Sequence, residues 1–328
     1  MLKVGEGVQW MVSVAAVVLT YNRRDLVQRC LRALVAQSRP VDRILVVDNA
    51  STDDTTGALA GFASSALTVH RLPRNVGAAG GFHEAMRLGH ESGADFVWVM
   101  DDDVIAAPDA LAELLRAFAL LEERGIEAPF AVSCAQDPDG VLTNVPDVDR
   151  RANALSYENW PHLLEHGLVP VSRSTFVSAL FRRETLDRHG LPIAAMFIWG
   201  EDTEYTRRVT RDRPGYMVGR SRVEHVRAVP GVLDIRTERD ATRIGWHRLQ
   251  IRNRIYVDRR YEGRKAALRY AARMGRLALG LLRRGEAHKA RVVLGGILLG
   301  FTFNPDVRPA AAPAVQVSVG ESATPQQA

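Results

Sequence analysis

The sequence predicts an α/β fold, a mixed but mainly parallel sheet with flanking helices, followed by a helical, basic C-terminal region. Three observations carry that prediction. Short, β-branched apolar runs such as residues 14–19 alternate with segments of helical period, the pattern of strands buried on both faces of a parallel sheet. Each strand candidate ends in a polar cluster, and in such sheets ligands bind outside the carboxyl ends of the strands. From about residue 240 the pattern turns helical throughout and rich in arginine.

The elements follow in order. Residues 14–19 form the first strand, and 25–36 a helix with Leu26, Cys30, Leu34 and Val35 on its apolar face. Residues 43–47, 66–71 and 96–100 read as further strands and 82–90 as a helix, which completes a doubly wound alternation. Between 136 and 172 the periodicity weakens around Pro138, Pro146, Pro161 and Pro170. This is a functional loop or small excursion, because residues 176–181 resume a strand. A second core segment spans 194–208, and a short polar strand ends at Glu224 and His225. The organisation expected is an α/β domain over 12–238, the helical basic region over 239–304 and a disordered tail over 305–328.

The 328 residues suffice for one large core, or one domain with an appendage. A formal charge of +5 admits nucleic acid, anionic lipid or a phosphorylated substrate as partner. Two cysteines, Cys30 and Cys134, both in apolar settings, argue against a disulfide framework or a zinc site. The N-terminal apolar run is too short to span a bilayer and has no cleavage-like site, so a cytoplasmic protein is expected.

Asp101, Asp102 and Asp103 arrive directly off the apolar run ending at Met100. Adjacent like charges repel and are costly to desolvate unless a cation sits among them. Mg²⁺ or Mn²⁺ is the usual compensation, and either also holds substrate phosphates. A solvated acidic turn is the alternative. Thr20, Tyr21 and Asn22, Asp48 and Asn49, Arg74 and Asn75, and the three aspartates all fall at strand ends, and four loops facing one crevice favour a metal–nucleotide site. The same carboxylates would repel nucleic-acid phosphate unless metal is bound, which argues against nucleic acid as the partner. The run Gly77, Ala78, Ala79, Gly80, Gly81 precedes a helix and could present backbone amides to phosphate or sugar, although it is no P-loop. Glu201, Asp202 and Glu204 open another helix behind Trp199 and Gly200. They either complement the helix dipole or form an acceptor site with an aromatic platform and a carboxylate that takes a hydroxyl proton. His225 could complete a metal shell begun by aspartates.

Together these residues resemble the family 2 glycosyltransferases of the GT-A fold over about residues 14–260. The strand and loop through Thr20, Tyr21, Asn22 and Arg23, the segment from Leu45 to Asp53, and the triple aspartate as the DXD motif carry the likeness. Within that family the chain is more similar to actinobacterial galactofuranosyltransferases. Residues 74–82 are similar to their R-N-x-G-G-x-G-G-F run with a departure at Ala78, and residues 197–204 and the Arg252, Asn253, Arg254, Tyr256 pattern also fit. The resemblance implies a metal held by Asp101, Asp103 and His225. It implies a nucleotide-sugar site of Thr20, Tyr21, Asn22, Arg23, Asp48, Arg74, Asn75, Gly77 and Asp102, with Asp48 meeting the donor base. It implies Asp202 as the base, Glu201 remaining an alternative, and acceptor contacts from Trp199, Gly200 and Glu204. The activity implied is inverting transfer of galactofuranose from a UDP-linked donor to a glycan or polyprenyl-linked acceptor, with Mn²⁺ or Mg²⁺. A dTDP-rhamnose-dependent rhamnosyltransferase is the nearest rival, and a nucleotidyltransferase or a basic nucleic-acid-binding protein are more distant ones. Arginines among Leu, Ala and Val over 264–303 read as a helix packed on its own domain, or as one resting on the anionic cytoplasmic leaflet.

Overall fold

The computed structural model describes residues 12–226 and 234–311. The chain runs β1 (Val14–Thr20), α1 (Arg24–Val35), β2 (Arg43–Asp48), α2 (Thr55–Ala60), β3 (Leu67–Arg71), α3 (Gly77–Glu91), β4 (Phe96–Asp101), β5 (Val104–Ala106) and α4 (Ala110–Glu123). It continues through β6 (Phe130–Gln136), β7 (Asp147–Val148), β8 (Leu168–Arg173), β9 (Ala179–Arg182), α5 (Arg183–His189), α6 (Glu201–Val209), β10 (Gly215–His225), α7 (Ala241–Val257), α8 (Arg264–Arg283) and α9 (Ala287–Thr302).

The strands form one sheet in the order β3-β2-β1-β4-β9-β6-β10-β8-β7, with β5 paired to β10. The β3-β2-β1-β4 half is parallel; β9 runs antiparallel between β4 and β6, and β10 is parallel to β6. The period of two along β1 explains the layers. Val14, Ala16 and Val18 pack with α1 and α4, while Val17 and Leu19 face α3, α5 and α6.

Several boundaries differ from the sequence reading. The buried face of α1 is Val27, Cys30, Leu31 and Leu34, the i, i+3, i+4, i+7 set, whereas Val35 is exposed. α3 starts at Gly77, so the glycine run forms its first turns. The strand expected at 176–181 shortens to β9, and Phe176 instead packs edge-on against Phe82 at 5.0 Å. Part of the 136–172 excursion joins the sheet as β7 and β8.

α7, α8 and α9 share a separate cluster that includes Ile235, Ile251, Ile255, Leu281 and Val293. α9 approaches α7 closely because Gly296 and Gly300 lack side chains: a Cβ at Gly296 would lie 2.8 Å from the Arg248 carbonyl, and one at Gly300 2.6 Å from Ile255 Cβ. Residues 305–311, expected to begin a disordered tail, lie against the α/β domain. The Leu191 amide donates to the Arg308 carbonyl at 3.0 Å, and Ala310 is buried in the α3-side core. The rest of the expected tail, 312–328, lies outside the described residues. Among the described residues no helix is long and apolar enough to cross a membrane.

Candidate active site

The aspartates stand where β1 and β4 end side by side, Leu19 opposite Asp101. The Thr20 hydroxyl donates to Asp102 Oδ2 at 2.6 Å, and Arg23 Nη1 reaches Asp102 Oδ1 at 3.0 Å and Asp103 Oδ2 at 2.5 Å. Pairing of β5 with β10 sets His225 opposite Val104, which leaves His225 Nε2 3.2 Å from Asp103 Oδ1, an ion-pair distance without hydrogen-bond alignment. Asn144 Oδ1, 2.8 Å from His225 Nδ1, orients the ring. Asn144 sits in the irregular 136–172 stretch and had no sequence signal.

Burial, then Asp103 and Asp102, pushes the Asp101 carboxyl well up, and Glu201 adds to the effect. Burial also raises Asp102, to about 6, against the pull of Arg23 and Thr20. For Asp103 burial acts upward too, but His225 and Arg23 outweigh it and hold the carboxyl low. Burial works against the charge of Arg23, yet Asp102, Asp103 and Asp101 raise its pKa.

These groups fit a hard divalent cation. Asp103 Oδ1 is buried without a hydrogen-bond partner, among the described residues none donates to the Asp101 carboxylate, and the donor set is carboxylate plus oriented imidazole. Among the described residues no three acidic, histidine or cysteine side chains already converge for joint coordination; the cation present is the Arg23 guanidinium.

The residues expected to contact a nucleotide divide in two. Tyr21, Asn22, Arg74 and Asn75 are exposed at the crevice, and Arg23 is partly so. Asn22 ties its loop to the next, its Oδ1 accepting from the Thr52 amide at 2.7 Å and its own amide donating to Ser51 Oγ at 3.0 Å. Thr20, Asp48, Gly77 and Asp102 are buried. Thr20 and Asp102 hold each other. Asp48 Oδ1 accepts from the Ser51 amide at 2.8 Å and Oδ2 from Thr56 Oγ1 at 3.0 Å, so this carboxylate shapes its own loop. Gly77 has φ +74° and lies so close to Phe197 that a Cβ would overlap its carbonyl. Three amides there have partners: Gly77 donates to Asn75 Oδ1 at 2.8 Å, Val76 to Asn49 Oδ1 at 2.9 Å and Ala79 to the Phe197 carbonyl at 3.0 Å. The glycine run lets α3 pack closely against Phe197, Val76 and Leu19.

Phe197 and Trp199 adopt positive φ, 64° and 58°, conformations that persist only when the surroundings hold them. Asn253, fully buried on α7, supplies that hold. Its Nδ2 lies 3.0 Å from each of the Met196, Ile198 and Trp199 carbonyls, and Arg252 Nη2 donates to the Ala195 and Met196 carbonyls at 2.9 and 3.0 Å. The loop delivers Trp199, Gly200 and Asp202 to the wall of a cavity of about 1000 Å³ between α6 and the C-terminal helices, also lined by His247, Arg254, Arg273 and Leu277. Glu201 is buried beside it, with Oε2 unpartnered. Burial, then Asp202, pushes Glu201 up to about 8, and burial raises Asp202 as well. Glu204, expected at the acceptor, is fully buried; Arg208 donates to both its oxygens at 3.0 and 2.9 Å, and Tyr261 OH to Oε1 at 2.6 Å. It braces α6.

A sheet with acidic loops converging at its carboxyl edge defines a class, and the comparisons name it. Residues 15–127 match the family described as Glycosyl transferase family 2, and the chain has the GT-A fold. It is 35% identical over 203 residues to galactofuranosyltransferase GlfT1 of Mycobacterium tuberculosis (strain ATCC 25618 / H37Rv), covering 61% of this chain and 65% of the relative. It is 31% identical over 206 residues to GlfT1 of Mycolicibacterium smegmatis, covering 60% and 65%. The chain thus spans 65% of the length of these curated relatives. In fold it is similar to the mannosyltransferase PcManGT from Pyrobaculum calidifontis, solved with GDP-Man and Mn²⁺ (TM-score 0.55, 18% identity, 89% of this chain and 88% of that one). It is also similar to GalNAc-T7, solved with UDP, GalNAc and Mn²⁺ (TM-score 0.55, 15% identity, 75% and 47%).

Proposed function

We propose that this protein is an inverting, metal-dependent glycosyltransferase that moves galactofuranose from UDP-galactofuranose to a glycan or lipid-linked acceptor. The observation that carries the reading is the convergence of two acidic groups built by distant segments, Asp101 to Asp103 at the end of β4 and Glu201 with Asp202 at the start of α6, close enough for Glu201 to perturb Asp101. The relatives' name, galactofuranosyltransferase, supports the donor.

Asp101, Asp103 and His225 would hold Mn²⁺ or Mg²⁺, which when bound supplies positive charge for the departing diphosphate. The exposed Tyr21, Asn22, Arg74 and Asn75 flank the nucleotide, and Arg23 offers a cation to its phosphates. The acceptor enters the cavity beside Trp199, where Asp202 takes the proton of the attacking hydroxyl. Asp202 is favoured over Glu201 because it lines that cavity, whereas Glu201 is buried beside it and holds its proton to about pH 8. The exposed Leu268, Leu279, Leu282, Leu294 and Leu298 of α8 and α9 lie among arginines, a composition that suits the anionic cytoplasmic leaflet and a lipid-linked acceptor.

The test is donor hydrolysis with Mn²⁺ against a panel of UDP-galactofuranose, UDP-galactopyranose, UDP-glucose and dTDP-rhamnose, read by mass spectrometry, together with UDP calorimetry. Selective turnover of UDP-galactofuranose, lost with EDTA and in Asp202→Ala while UDP binding persists, is the expected result. Selective turnover of dTDP-rhamnose overturns the donor, and loss of UDP binding in a folded Asp202→Ala overturns the role of that carboxylate.

A further inference from the structure

In the wall of the cavity beside Asp202 the fold leaves an imidazole nitrogen without a partner among the described residues. His247 on α7 lines this cavity and is itself 2% exposed. Its Nδ1 lies 2.9 Å from Gln250 Oε1, while Nε2 is buried with no hydrogen-bond partner among the described residues. Burial lowers the pKa of the ring, against the pull of Gln250, Glu238 and Asp234, so the imidazole is neutral near pH 7. A neutral imidazole has one donor and one acceptor, and the Gln250 carbonyl takes the donor. Nε2 is therefore a bare acceptor in a dry setting, which a fold tolerates only at a cost unless a ligand satisfies it.

Its neighbours indicate which ligand. The His247 ring packs on Trp199 at 5.3 Å between centroids, and Trp199 in turn meets Trp246 edge-on at 5.8 Å. An aromatic wall, a hydrogen-bond acceptor and a carboxylate around one opening suit a sugar, which offers a C–H face to the ring and hydroxyl donors to the polar atoms.

We propose that His247 Nε2 accepts a hydrogen bond from a hydroxyl of the acceptor saccharide, fixing that sugar against Trp199 with its nucleophile toward Asp202. This rests on the glycosyltransferase reading for the identity of the ligand as acceptor, but the binding itself is measurable without donor or turnover. Such a site selects for a hydroxyl: a sugar lacking that group leaves Nε2 as it stands now, whereas a merely apolar pocket discriminates weakly.

The experiment uses the full chain labelled with ¹⁵N-histidine and a panel of octyl β-D-galactoside, octyl β-D-glucoside and octyl α-D-mannoside. It follows the His247 nitrogen resonances and tryptophan fluorescence, with UDP and Mn²⁺ titrated separately by calorimetry. The expected result is that at least one glycoside moves the Nε2 resonance and quenches fluorescence. His247→Phe should weaken that glycoside by about tenfold or more and His247→Gln by less, while UDP affinity is unchanged. Glycosides that leave the Nε2 signal in place, or that bind His247→Phe as tightly as the wild type, overturn the inference. The signal of the unsubstituted protein decides the matter even if a variant fails to fold. If glycosides bind at Nε2 but UDP does not bind at all, the saccharide site stands and the donor reading falls.

Discussion

Arg23 is the side chain that makes three neighbouring carboxylates tolerable in the absence of metal. Removing one partner of a buried ion pair is costly because the other charge is left uncompensated; with Arg23 about one-third exposed, solvent recovers part of that loss. Arg23→Met is expected to destabilise the metal-free protein by about 1–2 kcal/mol, and Mn²⁺ to recover more of the melting temperature in the variant than in the wild type. Equal Mn²⁺ responses would show that guanidinium and ion do not share the site. Glu201 makes a separate prediction. The folded protein keeps its proton to about pH 8, the unfolded chain only to its ordinary value of 4.5. Between those values the folded state binds more protons, so stability falls as pH rises through the window. Glu201→Gln is expected to flatten the decline in melting temperature between pH 5 and pH 8, and an unchanged slope would place the titration elsewhere. The residue types at these positions were legible in the sequence, but their exposure was not. Thr20, Asp48 and Glu204 are polar in a polar neighbourhood, and only the folded chain reveals that their oxygens are already satisfied by Asp102, by Ser51 and Thr56, and by Arg208 and Tyr261.

The elements divide the same way. β1, β2 and β4 stood out because each is a continuous apolar run buried on both faces, and their polar ends marked the crevice. The glycines of α3 were ambiguous, since glycine at a helix start serves an anion or a close neighbour, and composition cannot separate the two. Here the neighbour is the Phe197 carbonyl. The Asn253 clamp was equally hidden: the Arg252, Asn253, Arg254 motif was visible, but its partners lie over fifty residues away across the fold. Asn253→Asp would set a carboxylate against three carbonyl oxygens. It is expected to release the Phe197 and Trp199 conformations and lower transfer by about 100-fold, with UDP affinity retained. The variant is read by the kcat of transfer and by near-ultraviolet circular dichroism of the tryptophans. A variant with normal kcat would show that the loop holds itself.

For the whole molecule, the doubly wound half and the helical C-terminal third followed from periodicity. The places of β9 and β10 in the sheet did not: β9 is only four residues long, and β10, though eleven, is broken by a register shift between Val218 and Arg222. The arginines set among the exposed leucines of α8 and α9 are expected to bring the protein to vesicles containing phosphatidylglycerol at low salt and to release it as salt rises. Sedimentation with neutral vesicles to the same extent would rule out an electrostatic contribution.

α7 works as a tie beam between α9 and the loop bearing Trp199. One side is fastened to α9 where Gly296 and Gly300 admit Arg248, Ile251 and Ile255, and the other, through Arg252 and Asn253, to the loop bearing Trp199. Load applied at either fastening is carried to the other. A methyl group added at Gly300 would push the beam outward and slacken the loop at its other fastening, so mutational screens for lost activity should return hits in α9 that resemble surface changes and behave like damage at the centre.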